Sequence, residues 1–184
     1  MEPTDTLEKI RKRQESSHDC FVCGADNKLG FQSMFYETEK NELICLAYSK
    51  FEYQSYPQRL HGGISATLLD ETMGRAILIY DPNTWGVTVD MQTRFLKPVP
   101  LEQTLRVIAR ITDNRRIFEA EGEILLEDGT KAVTAKGRYL KMPVQKISDT
   151  VDRPESVLFM EKTEKEIAYI SGQGPLEIIY QEKK

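Results

Sequence analysis

The residues best suited to chemistry lie in one stretch, Leu60-His61-Gly62-Gly63-Ile64-Ser65-Ala66-Thr67-Leu68-Leu69-Asp70-Glu71-Thr72-Met73-Gly74. Its spacing predicts a helix that opens on two glycines. Asp70 has Ala66 four residues before it, Met73 three after, Gly74 four after and Ile77 seven after, positions that share one helical face. An acid on a stripe of apolar and small residues is costly unless something needs it there. Two readings stay open. One is a carboxylate kept in a partly dry site with a raised pKa. The other is a helix-edge Asp solvated at a subunit boundary. Asp70 has no cation three or four residues away, whereas Glu71 and Arg75 are spaced to pair with each other at the exposed edge.

The front of this helix supplies a second element. Glycines let a ligand approach the backbone closely, and the first amides of a helix lack internal partners and carry partial positive charge. Gly62 and Gly63 could hold a developing oxyanion, or simply form a tight loop-to-helix turn. His61 stands where it positions other groups more readily than it acts as a base. Gly62 and Asp70 are roughly 12 Å apart at 1.5 Å per residue. One carbonyl cannot touch both groups of one helix. If both act on one substrate, two copies of the chain must share the site.

Other candidates lie downstream. In the run from Val87 to Phe95, Val87, Val89, Met91 and Phe95 alternate with Thr88, Asp90, Gln92 and Arg94, which places Thr88 on the polar face of a strand. Arg94, Lys97 and the Arg115-Arg116 pair could meet phosphates, or be solvated surface charges. Cys20 and Cys23 with His18 suggest zinc, but a structural site normally takes four ligands. There is no second Cys-x-x-Cys and Cys45 falls in a strand-like run, so no metal and no cofactor are expected. No Gly-x-Ser-x-Gly nucleophile motif occurs.

The elements that must position these groups follow from pattern and punctuation. Thr6 to Ser17 is charged, with Leu7 and Ile10 on one helical face, and predicts a short surface helix. Strand-like runs cover Leu29 to Tyr36 and Glu42 to Ser49, joined through Glu39-Lys40-Asn41 as a hairpin. The helix runs from Leu60 to Tyr80 and stops before Asp81-Pro82-Asn83. Its residues are apolar or small on nearly every face, the mark of a helix wrapped by protein. Four strands follow, Gly86 to Leu96, Gln103 to Asp113, Ile117 to Glu127 and Lys131 to Lys141, with Asp128-Gly129 as a tight hairpin. The prediction is an α+β fold, one long central helix wrapped by a curved antiparallel sheet of five to six strands. The organisation expected is an N-terminal helical segment over 1–19, one domain over 20–142 and a C-terminal extension over 143–184. Within that extension Ser156 to Ile170 predicts an amphipathic helix and Leu176 to Tyr180 a short strand.

The 184 residues suit one domain with an appendage, and 40% hydrophobic content is enough for a core. A net charge of −4 argues against nucleic acid or an anionic membrane as a partner. No apolar run reaches the length of a membrane span. Met1 to Gln14 lacks the apolar centre of a signal peptide. With three cysteines, the expected location is the cytoplasm.

The run His61 to Glu71 resembles the signature of hotdog-fold acyl-CoA thioesterases of the PaaI-like type. Gly86-Val87-Thr88-Val89-Asp90-Met91 and Arg94-Phe95-Leu96-Lys97-Pro98-Val99 resemble that family's strand after the helix. Cys20 to Leu29 is similar to a segment many members carry before their first strand. The resemblance covers about Cys20 to Met142. It implies hydrolysis of an acyl-CoA thioester by a homodimer with shared sites, or a tetramer of such dimers. It implies Asp70 as nucleophile or general base, Gly62 as the amide that polarises the carbonyl, and Thr88 as a positioning hydroxyl. Some members place an Asn shortly before the His-Gly-Gly; this chain has Gln54-Ser55-Tyr56-Pro57-Gln58-Arg59 there. Gln58 or His61 would have to substitute, with Gly63, Arg94 and Lys97 as further substrate contacts. Two rivals use the same scaffold. A non-hydrolytic acyl-CoA sensor has little use for a buried acid, and an acyl-thioester dehydratase would pair His61 with Asp70 across two chains.

Overall fold

The computed structural model describes residues 10–148. Their elements are β1 (Ile10–Arg13), β2 (Met34–Thr38), β3 (Leu43–Tyr48), α1 (Gly62–Arg75), β4 (Thr84–Phe95), β5 (Thr104–Asp113), β6 (Ile117–Leu125), β7 (Lys131–Pro143) and α2 (Val144–Ser148). The strands form one sheet in the order β1-β2-β3-β5-β6-β7-β4, antiparallel at every pairing. Helix α1 lies against five strands, β3 to β7. A 3₁₀ turn, Ala76–Ile79, completes the helix before the Asp81-Pro82 break.

The core is the seam between α1 and the sheet. Leu68, Leu69, Met73 and Ile77 pack with Leu105, Val107, Phe118, Ile124 and Tyr139. Gly86 decides how low the helix sits. A Cβ there would stand 2.6 Å from Phe118 Cζ and 2.8 Å from the Gly74 carbonyl oxygen. Only hydrogen fits between strand and helix at that point. The connection from β6 to β7 is the expected hairpin, with Gly129 at φ +77.

The sheet has seven strands, not five to six. The extra one is β1, where charge and spacing predict a helix. The four residues Ile10–Arg13 instead pair with β2, Ile10 is buried with Met34, Tyr36 and Ile44, and Arg11 reaches Glu37. An isolated helix of this length is marginal in water, whereas the edge of β2 offers ready hydrogen-bond partners. The run predicted from Leu29 begins as a strand only at Met34. The helix and strand predicted within 156–180 lie outside the described residues.

Strict alternation along β4 also fails, and the failure matters. The β4–β7 register shifts between Thr88 and Asp90, so Val89 is an extra residue. This bulge flips the phase of the strand. Gly86 and Thr88 face α1 before it, and Phe95, whose ring lies against Gly62, faces the same way after it. Asp90, which pairs with Arg138, faces the other way. Thr88 is therefore on the helix side and not on the polar outer face with Asp90, Gln92 and Arg94.

Candidate active site

Asp70 stands in the middle of α1, on the flank of its buried stripe. That stripe is Ser65, Leu68, Leu69, Thr72, Met73 and Ala76. The carboxylate is half-buried, and two donors converge on one of its oxygens. Thr88 Oγ1 donates to Oδ1 at 2.9 Å and Tyr139 OH donates to Oδ1 at 3.2 Å. The elements explain the meeting. Thr88 and Tyr139 are register partners on β4 and β7, and both point at the helix. Burial, then the negative charge of Asp70, raises the Tyr139 hydroxyl, which therefore stays protonated and donates. Oδ2 has no partner among the described residues and is the oxygen left for chemistry.

Asp70 opens onto a cleft of about 570 Å³. Thr88, Gly86, Leu78 and Trp85 line it on one side, and Glu71, Arg75, Cys20 and Cys23 on the other. Glu71 corrects one expectation. It pairs with Arg75 at 3.5 Å, but half-buried and not at an exposed edge. Residues 14–23 fold over the outer face of the helix. Gln14 and Glu15 accept from Arg75, and the Cys20 thiol lies 4.0 Å from Glu71. Burial pushes the Glu71 carboxyl up to about 7, against the pull of Arg75. The carboxyl that burial raises is thus Glu71, the neighbour of the one picked out by spacing.

Gly62 is the first residue of α1. Its N–H has no partner among the described residues, as expected at a helix start. The Phe95 ring leaves room for no Cβ at ordinary distance: one would meet Cε1 at 3.2 Å. His61 is the N-cap, and its Nδ1 accepts from the Gly63 N–H at 2.9 Å. That bond occupies the Gly63 amide, which is not free for a ligand. With Nδ1 accepting, the ring's donor is Nε2, which has no partner among the described residues. Gln58 sits exposed on the preceding loop at φ +60, its own N–H bound to Gln54 Oε1.

Helix α1 runs antiparallel to β4, with Gly62 beside Phe95, Asp70 beside Thr88 and Gly74 beside Gly86. Within one chain the structure therefore separates two groups of candidates. Asp70, Thr88 and the unforeseen Tyr139 form one. Gly62, His61 and Phe95 form the other, and Arg94 and Lys97, which flank Phe95 in the chain, join neither. Arg94 lies on the outer face of the sheet with Gln92 and Arg110. Lys97 lies near Asp128, whose carboxyl is lowered mainly by Thr130 and further by that lysine. No spacing in the sequence points to Tyr139, 69 residues from Asp70; only the β4–β7 register brings it in.

The cysteines also regroup. His18 Nδ1 pairs with Asp26 Oδ2 at 2.7 Å and not with a cysteine. Cys20, Cys23 and Glu71 have donor atoms all within 4.8 Å of one another. Buried Cys45 lies apart in β3, its thiol pushed up to about 12 by burial.

A profile of the thioesterase superfamily matches residues 58–133, which contain α1 and strands β4, β5 and β6, with Tyr139 outside it. Acyl-coenzyme A thioesterase 13 of Homo sapiens is 27% identical over 100 residues, 54% of this chain and 71% of that protein. The crystal structure of a thioesterase superfamily protein superposes with a TM-score of 0.62 at 27% identity, over 67% of this chain and 60% of that one. The PaaI protein of E. coli superposes with a TM-score of 0.55 at 15% identity, over 61% of this chain and 80% of that one. No helix among the described residues is long and apolar enough to cross a membrane.

Proposed function

We propose that the chain is a hotdog-fold member of the thioesterase superfamily and hydrolyses the thioester of an acyl-coenzyme A, with Asp70 as the reacting carboxylate. The family match over 58–133, the 27% identity to an acyl-coenzyme A thioesterase and the shared fold support this reading. The observation that carries this reading is the Asp70 carboxylate anchored through Oδ1 by Thr88 and Tyr139, with Oδ2 free at the cleft. Two fixed donors hold the side chain in one rotamer, so no ordering is left for the moment of reaction. Oδ2 takes a proton from water, and the hydroxide oxygen attacks the thioester carbonyl. The carbon–sulfur bond then breaks, and the proton on Asp70 passes to the departing thiolate. A thiol with a pKa near ~8.5 leaves without a strong acid, which fits a site with one reacting carboxylate.

The oxyanion needs a donor that Asp70's own helix cannot bring. The Gly62 amide is the candidate, and it reaches the carbonyl only from a second copy of the chain. The free edge of β4 supports such pairing. This strand ends the sheet, runs over twelve residues and exposes Val87, Val89 and Phe95. A long edge with exposed apolar side chains is a surface for another chain. Lys97 would come with Gly62 and meet the coenzyme A phosphates, whereas Arg94 faces away from α1 on the outer side of the sheet. A thiol-release assay over short, medium, long and aromatic acyl-CoAs tests the reading. The Asp70→Ala variant should stay folded and lose about 10²–10⁴-fold in turnover. Unchanged turnover by that variant would remove Asp70 from the mechanism.

A further inference from the structure

We propose that Cys20 and Cys23 form a redox-active dithiol in the wall of the Asp70 cleft, oxidised to an intramolecular disulfide by a peroxide. The thioesterase reading makes no use of either residue. The two sulfurs and the Glu71 carboxylate lie within 4.8 Å of one another, and both thiols are free. The turn that joins them is built for closeness. The Gly24 N–H donates to the Cys20 carbonyl at 2.8 Å, and a Cβ on Gly24 would stand 2.3 Å from that oxygen. Both cysteines line the cleft, which admits a small oxidant.

Their surroundings divide the labour. Cys23 Sγ has Arg75 Nη1 at 3.4 Å and Ser17 Oγ at 3.3 Å, a cation and a hydroxyl that favour the thiolate. The Cys20 thiol, sharing its proton toward Cys23, lowers the Cys23 thiol despite burial, with Arg75 and Ser17 adding to the effect. Cys20 accepts from the Val22 and Cys23 N–H groups at 3.3 and 3.5 Å, but that sharing, burial and Glu71 outweigh them and raise its thiol. An attacking thiolate beside a resolving thiol is the arrangement of a redox-sensing pair. Arg75 also disfavours the competing reading of this cluster as a cation site. Its Nη1 lies 3.4 Å from Cys23 Sγ and 3.5 Å from Glu71 Oε1, so a positive charge already stands against two of the three donors.

The chemistry balances with the peroxide as two-electron oxidant. The Cys23 thiolate attacks one peroxide oxygen; the S–O bond forms, the O–O bond breaks, and hydroxide leaves to become water with a solvent proton. Cys20 passes its proton to the Glu71 carboxylate and attacks the Cys23 sulfur. The S–S bond forms, the S–O bond breaks, and the departing hydroxide takes the Glu71 proton as water. The full chain, reduced and freed of reductant, is titrated with hydrogen peroxide, quenched by alkylation under denaturing conditions and mapped by mass spectrometry. The expected product joins Cys20 to Cys23 and leaves Cys45 alkylated. In Cys20→Ser, Cys23 should stop at a sulfenic acid that dimedone traps. In Cys23→Ser, Cys20 should oxidise at least about tenfold more slowly than Cys23 does in the unaltered chain. Three alkylated cysteines after peroxide, or equal rates in the two variants, would overturn the proposal. So would purified protein carrying one zinc ion per chain that shields both thiols, which would assign the cluster to a metal. None of these readouts uses thioesterase activity, so this proposal and the preceding one fail separately.

Discussion

At the scale of single residues, the proposed chemistry depends on Thr88 and Tyr139 sharing one oxygen of Asp70. A hydrogen bond to a charged group contributes about 1.5–3 kcal/mol, so Thr88→Val should lower kcat about 10–100-fold with KM little changed. Thr88→Ser should restore most of it, since the hydroxyl is what matters. Steady-state kinetics on the three proteins checks this. Glu71 gives a second expectation, on stability. Its carboxyl is raised to about 7 by burial, above the usual range near ~4.3. A raised folded-state pKa means that its contribution is fully present below the unfolded value. It is lost as pH rises through about 7. The neutral mimic Glu71→Gln should match the unaltered chain in Tm near pH 4 and exceed it above pH 7, measured by calorimetry across that range. Arg75, Cys20 and Cys23 surround Glu71 in both proteins, so the difference isolates the carboxyl. Thr88 enters as a candidate only through the resemblance; Asp70 and Gly62 were legible as candidates because they lie in one continuous run. Tyr139 and the Glu71–cysteine cluster were not, because strand register and the fold-over of residues 14–23 assemble them.

At the scale of elements, the Val89 bulge and the Gly86 contact aim the site. Period-two reading of β4 puts Thr88 outward; one extra residue turns it inward. No side-chain pattern announces a bulge, since it is a property of the pairing with β7. The α1 boundaries and the strands after it were readable because Gly62-Gly63 and Asp81-Pro82 punctuate them strongly. Strand β1 was not, because four residues carry too little periodicity to separate a strand from a helix. Gly86→Ala tests the close approach of α1 and β4. Replacing a strand glycine ordinarily gains about 0.5–1 kcal/mol of chain entropy, while overpacking against Phe118 and the Gly74 carbonyl costs about 1–3 kcal/mol. The clash should win, and the urea midpoint should fall. A rise would mean that the helix has room to lift away.

At the scale of the whole molecule, one chain holds both halves of the proposed site but cannot bring them together. Asp70 and Gly62 ride on one rigid helix, and β4 offers the free edge along which a second copy could supply the missing half. The decisive measurement uses two inactive variants, Asp70→Asn and Gly62→Pro, co-expressed with different tags and purified as the mixed dimer. Proline suits the first helical position and removes the N–H under test, with the Phe95 ring yielding to its Cβ, which would otherwise stand 3.2 Å from Cε1. In a two-fold dimer the mixed species carries one site with both native groups, so it should turn over at roughly half the rate of the unaltered dimer. A mixed dimer as inactive as either parent would contradict the shared site.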